Sequence, residues 1–289
     1  MISTIKNNAL EIKVDSSGAE LSSIKKVGDS CEYLWQADPA YWSRKAPVLF
    51  PIVGKLVNNK YTVGKKEYIM TQHGFARDMD FALVDQKPDM LSYKLENTRE
   101  LLNKYPFSFK LIITYQLKGN ELAMTYEVRN TDVTRMWFSI GAHPGFNCPL
   151  LPGEKMEDYF IVFEKKENLK RTILDNGLLT DEEPFLNNEN TVKLSQKLFE
   201  RDAIILKGMK SQYVILKSSK NKRQIKVDFK GFPYMGIWSK PSGAPFVCIE
   251  PWFGIASSKT SKPALKDKEG IKTFLPGDIF RCQVKLTID

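Results

Sequence analysis

The stretch Leu111-Ile112-Ile113-Thr114-Tyr115-Gln116-Leu117-Lys118-Gly119-Asn120-Glu121-Leu122-Ala123-Met124-Thr125-Tyr126-Glu127-Val128 decides the fold class. Leu111, Ile113, Tyr115 and Leu117 occupy every second position, and so do Leu122, Met124, Tyr126 and Val128 beyond Lys118-Gly119-Asn120. A period of two lines one face of a pleated strand with apolar side chains, and a Gly-Asn break accommodates the positive backbone angles of a tight reversal. The stretch predicts a β-hairpin with one buried face.

The same alternation recurs outward, at Tyr61 to Tyr68, Tyr213 to Phe229 and Cys282 to Ile288, bounded by glycine, asparagine, serine or proline. Helical periodicity is short, confined to stretches such as Arg99 to Lys104 and Leu194 to Arg201. A βαβ architecture with a parallel sheet is therefore disfavoured, and an all-β, large antiparallel β sandwich with few short helices is expected. No repeat, low-complexity tract or Pro/Ser/Gly-rich linker divides the 289 residues, so residues 1–289 are expected to form one domain, a length that large sandwiches reach. The polar stretch Asp175 to Asn190 reads as a long surface excursion.

A hydrophobic fraction of 42% and a charged fraction of 27% are those of a soluble globular protein, and no apolar run approaches the roughly 18 residues of a membrane helix. Met1 to Leu10 lacks the apolar block of a secretory signal, which makes a cytoplasmic location the expectation. Cys31, Cys148, Cys248 and Cys282 are far apart with no CxxC pair and read as free thiols. The net charge of +9 is spread among acidic residues, without an arginine-rich arm, so a nucleic-acid partner is not expected. Nothing in the sequence assigns an oligomeric state.

Histidine is the informative residue, because there are only two and each opens a glycine-phenylalanine motif: His73-Gly74-Phe75-Ala76-Arg77 and His143-Pro144-Gly145-Phe146-Asn147. Glycine and proline beside an imidazole predict tight loops, where binding and catalytic groups concentrate. Glu250 follows the apolar run Phe246 to Ile249 and precedes Pro251-Trp252. Two readings of it stand: a desolvated carboxyl with a raised pKa suited to proton transfer, or a glutamate paired with a lysine at the sheet rim. Trp238, Trp252, Phe75 and Phe146 offer flat faces for a pyranose or for the core, and Arg44, Lys55 and Arg77 could donate to hydroxyls or to a phosphate. There is no GxSxG elbow, P-loop or GxGxxG, and two histidines and a glutamate without HExxH spacing do not predict a metal.

Tyr41-Trp42-Ser43-Arg44, Pro47 through Leu56, the two histidine motifs, Gly236-Ile237-Trp238 and Ile249-Glu250-Pro251-Trp252, in this order, resemble the aldose 1-epimerase (galactose mutarotase) family and its LacX-type branch. The resemblance implies a sandwich that binds a sugar and interconverts its anomers without metal or organic cofactor. It assigns Glu250 as base, His143 as acid and His73 as the histidine that orients the sugar; Lys55, Arg77, Arg44 and Trp238, close to these motifs in sequence, are the further substrate contacts expected. Lys55 stands where the galactose mutarotases carry an arginine, and no residue was found to match their substrate-binding aspartate. Two alternatives accompany this reading, an epimerase of hexose 6-phosphates and a non-catalytic carbohydrate-binding protein of the same fold.

Overall fold

The computed structural model describes residues 1–289. Every pairing between regular strands is antiparallel. A 15-stranded sheet carries most of the chain, beside a three-stranded sheet of Ile2–Lys6, Leu10–Asp15 and Glu20–Lys26. The architecture is the antiparallel β sandwich expected from the alternating segments.

Phe109–Lys118 and Glu121–Asn130 form the hairpin with Leu117 opposite Leu122, Tyr115 opposite Met124, Ile113 opposite Tyr126 and Leu111 opposite Val128. All eight side chains are buried. One apolar row from each strand thus meets across the ladder, and a one-residue slip would turn both rows to the other face. They join a cluster of 68 buried residues reaching from Ile5 to Ile288.

Helical structure is limited to one α-helix, Arg99–Lys104, and short 3-10 turns. The helix starts at Thr98, whose hydroxyl accepts the Leu101 amide at 3.2 Å. Of the stretch Leu194 to Arg201, only Gln196–Phe199 is helical, as a 3-10 turn. No helix is long and apolar enough to cross a membrane.

The polar stretch expected to be a surface excursion is instead one arm of a long hairpin. Tyr159–Asp175 pairs with Leu178–Lys193 through an Asn176-Gly177 reversal in which both residues have positive φ, 52° and 79°. Only Leu179, Leu186 and Val192 of the second arm are buried, so polar side chains hide its periodicity. The first arm pairs near its start with Tyr213–Ser218 and near its end with Ile204–Lys207, with register shifts between. Such bulges bend a strand, which here carries the hairpin tip towards the strands that hold Glu250.

Candidate active site

Phe246–Phe253 is flanked by Tyr234–Trp238 on one side and by Ile140–Ala142 and Gly145–Asn147 on the other. The strand runs past the apolar stretch Phe246 to Ile249 as far as Phe253 and places Glu250 inside the sheet, opposite Gly236. Alternation divides its residues. Val247 and Ile249 enter the main core, while Cys248 and Trp252 belong to two small clusters beside the site. Both faces are covered, which is why the sequence reads as an unbroken apolar run.

Glu250 shares its face with Cys248 and Trp252 and is 1% exposed. The flat Trp252 indole is admitted by glycines on both neighbouring strands. A Cβ added at Gly141 would lie 2.5 Å from Cδ1 of the indole, and one added at Gly236 2.5 Å from Cζ2 and Cη2.

His143 follows Ile140–Ala142, and its Nε2 lies 3.1 Å from Oε2 of Glu250. The lysine-paired reading of Glu250 is thereby replaced by a carboxyl-imidazole pair. Trp42 stacks on the His143 ring at 5.0 Å and 29°, and Trp238 meets it edge-on at 6.0 Å. Burial lifts the Glu250 carboxyl well above its ordinary range, helped by the charge of Asp202. Burial pushes the His143 imidazolium down to about 3, aided by Arg77 and Arg44. His143 Nδ1, Glu250 Oε1 and Trp252 Nε1 are buried without a hydrogen-bond partner.

His73 sits in a left-handed turn, φ 68°, followed by Gly74 at φ 75°, where a Cβ would lie 2.2 Å from the Phe50 carbonyl oxygen. The Gly54 amide donates to its Nδ1 at 3.2 Å, which leaves the proton of the neutral ring on Nε2. Nε2 stands 3.2 Å from the Gln72 side-chain amide, whose oxygen and nitrogen exchange by a half-turn, so it can donate to that oxygen or to a ligand. Burial, with His143 next, holds the His73 pKa well below the usual value. The two imidazoles face each other edge-on at 5.7 Å.

These groups line one cavity of about 320 Å³, at the small end of ligand sites. His73, His143, Glu250, Arg77 and Trp238, picked from the sequence, are all in its wall. Lys55 is not, because its Nζ donates to the Asn176 carbonyl at 2.9 Å, on the hairpin tip whose Gly177 does line the cavity. Arg44 lies outside too, held by Asp78 and the Arg77 carbonyl. Phe75 and Phe146 are core residues.

Trp42, Gln72 and Asp202 line the cavity without having been singled out. Trp42 lay within a recognised motif. An aspartate does stand in the wall ahead of Glu250: Asp202, at φ 68°, whose Oδ1 accepts the Ala203 amide at 2.8 Å. No local pattern marks it, since only the pairing of Ile204–Lys207 with Tyr234–Trp238 brings it across to Glu250.

His143, Cys248 and Glu250 offer three ligand atoms within 4.8 Å of one another. Burial raises the Cys248 thiol well above its ordinary pKa, so a cation there would have to displace its proton to gain a thiolate ligand. With the carboxyl also favoring its acid form, the set suits proton transfer better than a cation.

A family model described as aldose 1-epimerase matches residues 1–266. The plasmid-encoded protein LacX of Lactococcus lactis subsp. lactis is 36% identical over 294 aligned residues, covering 98% of each chain. A galactose mutarotase related enzyme from Lactobacillus acidophilus superimposes with a TM-score of 0.96 at 35% identity, covering 100% of this chain and 97% of that one. A galactose mutarotase-like protein from Lactobacillus casei ATCC 334 gives 0.91 at 32% identity, with both chains fully covered.

Proposed function

Because the chain belongs to the aldose 1-epimerase family, we propose that it interconverts the α and β anomers of an aldohexose, with Glu250 and His143 as the proton carriers. One observation carries the assignment: a carboxyl and an imidazole 3.1 Å apart, both buried, in the wall of a cavity sized for one sugar. Burial disfavors charge on both, so the empty pair holds one exchangeable proton, as acid beside neutral imidazole. Moving that proton across the 3.1 Å between Oε2 and Nε2 gives carboxylate and imidazolium with no change in proton count.

In this reading the Glu250 carboxylate takes the C1 hydroxyl proton as the His143 imidazolium protonates the ring oxygen. The bond from C1 to the ring oxygen breaks, a carbonyl forms at C1, and rotation about C1–C2 exposes its other face. On closure His143 recovers its proton from the C5 hydroxyl and Glu250 returns its proton to the C1 oxygen. Two positioned carriers are worth about 10²- to 10⁴-fold each in a reaction of this kind. His73 donates from Nε2 to a sugar oxygen, Trp42 and Trp238 hold the plane of His143, and Asp202 accepts from hydroxyls. An unphosphorylated sugar is favored because Arg44 and Lys55 are engaged outside the cavity by Asp78 and the Asn176 carbonyl, which leaves Arg77 as the one basic residue in its wall. The same reading takes residues 1–289 as one domain acting in the cytoplasm.

Polarimetry on freshly dissolved α-glucose or α-galactose tests it. The wild type is expected to speed equilibration, and Glu250→Gln to lower kcat by about 10²- to 10⁴-fold while leaving sugar affinity within a few-fold. Sugar binding without acceleration in the wild type would make the protein a carbohydrate-binding module, and an unchanged rate in Glu250→Gln would remove that residue from the mechanism.

A further inference from the structure

A separate pocket of about 250 Å³ is lined by residues of the segments Leu56–Tyr61 and Ser257–Lys268. Two short stretches of chain run between it and the cavity of Glu250 and His143: Gly54 and Ala256 line that cavity, Leu56 and Ser257 the pocket. Lys60, Lys262 and Lys268 stand in the pocket wall against a single carboxylate, Glu67, which is already paired with Lys60 at 2.8 Å. Lys262 is exposed at the rim, with no acidic residue paired to it. Asp267 and Glu269 flank Lys268 in sequence, but both are exposed and outside the wall, and Glu269 pairs with Lys207 at 3.1 Å.

Lys268 is the group that calls for a partner. It is only 5% exposed, and of the three donors an ammonium carries, one is used, on the Ile255 carbonyl. Buried charges are normally paired, because an ion taken out of water without a counter-ion is costly. That cost appears in its pKa, which burial lowers to about 7. Ser257, 4% exposed in the same wall, adds a hydroxyl that makes no hydrogen bond. A wall of ammonium and hydroxyl donors with its one carboxylate already spent suits an oxyanion and repels a metal ion. The volume admits a phosphate or a small ester of it and falls below that of ordinary drug-sized ligand sites.

We infer that this pocket binds a phosphate group, free or carried on a small ester, as the counter-ion of Lys268, with Lys262 and the Ser257 hydroxyl as its further donors. The site is independent of the anomer exchange proposed above, from which the Gly54–Leu56 and Ala256–Ser257 stretches separate it. The donors come from residues up to 11 positions apart, Ser257 to Lys268, and only the folded chain gathers them around one hollow. The anion therefore binds the folded state and stabilises it by mass action.

Thermal melting and calorimetric titration of the full chain in a phosphate-free buffer test it, with inorganic phosphate and glycerol 3-phosphate as probes and sodium chloride at matched ionic strength as the control. At a phosphate concentration a hundredfold above Kd, the melting temperature should rise about 5 °C beyond the control. Binding of either probe supports the site, and the tighter of the two shows whether an ester is taken. Lys268→Met should abolish the rise. Lys262→Glu, a change at an exposed residue that leaves the core intact, should weaken phosphate binding at least about tenfold by setting a like charge against the anion. Arg77→Met, in the wall of the other cavity, should leave phosphate affinity within about twofold. The inference is overturned if phosphate raises the melting temperature no further than chloride, if either lysine variant binds phosphate as tightly as the wild type, or if Arg77→Met abolishes binding, which would place the anion beside Glu250 and His143. Should Lys268→Met fail to fold, Lys262→Glu decides the matter alone.

Discussion

Gly236→Ala places a methyl group against the indole that backs the Glu250–His143 pair, and its consequences can be worked from the structure. The added Cβ would stand 2.5 Å from Cζ2 and Cη2 of Trp252, whereas carbon atoms in comfortable contact are about 3.5–4.0 Å apart. Trp252 must retreat by roughly 1 Å, but Gly141 bars the other side, where a Cβ would itself meet the ring at 2.5 Å. Overpacking of this kind costs about 1–3 kcal/mol, and at about 2–4 °C per kcal/mol the melting temperature should fall by several degrees. Glu250 lies two residues away on the same face and opposite Gly236, so the same shift disturbs its carboxyl. A 1 Å misplacement is worth on the order of 10²-fold in rate, and kcat should fall accordingly in polarimetric assays. Trp252→Phe removes the offending edge, so the double variant Gly236→Ala/Trp252→Phe should be more stable than the sum of the single changes by about 0.5–3 kcal/mol. Wild-type melting and turnover in Gly236→Ala, or strict additivity in the cycle, would refute the steric account.

The two histidines set an acid limit on stability: folding drives the His143 pKa from 6.5 to about 3 and His73 in the same direction. Between those values the unfolded chain binds more protons at each histidine, while Glu250, raised by folding, keeps a proton that the unfolded chain has lost and offsets one of them; stability should therefore fall as pH drops below about 6.5, by up to about 1.4 kcal/mol per pH unit in all. Denaturant midpoints from pH 7 to 4 read this, and a flat profile contradicts it. Lys268 is buried with its Nζ on the Ile255 carbonyl, and burial lowers it from 10.5 to about 7. The unfolded chain holds the extra proton between those values, so wild-type stability should rise from pH 7 towards 10.5, and Lys268→Met should raise the pH 7 stability by at least about 1 kcal/mol and flatten the rise. A lower melting temperature for Lys268→Met at pH 7 would show that the bond to Ile255 outweighs the buried charge. Dialysis against a chelator should leave mutarotation unchanged, and loss of rate restored by a divalent cation would turn His143, Cys248 and Glu250 into a metal site.

Legibility followed the range of the interaction. The Phe109–Asn130 hairpin could be read to its register because its pattern and its turn are local. His73 and His143 announced themselves through the glycines and proline that bend the chain beside them. Leu178–Lys193 escaped notice because its outer arm buries few residues and its alternation is diluted by glutamate and asparagine, although Asn176-Gly177 carried a hairpin signal. Lys55 and Arg44 were placed near the sugar by their closeness to the motifs in sequence, yet the Asn176 carbonyl and Asp78, distant in sequence, hold them outside the cavity. Asp202 and Trp42 show the converse, for they reach Glu250 and His143 only through the assembled sheet and loops.

The pattern of unmet hydrogen bonds points to the same place without reference to any relative. Seven buried side-chain atoms lack partners, and those of Arg77, His143, Glu250 and Trp252, four of the seven, belong to residues lining the cavity. Each such atom costs about 1–3 kcal/mol, and scattered packing defects would not gather around one hollow. Nor does the surrounding fold lack means to satisfy polar groups, since buried Glu167 accepts the Lys210 and Ser211 amides and the Ser211 hydroxyl. A carboxyl with one oxygen on an imidazole and the other free is poorly built for support but well placed to accept a hydroxyl proton.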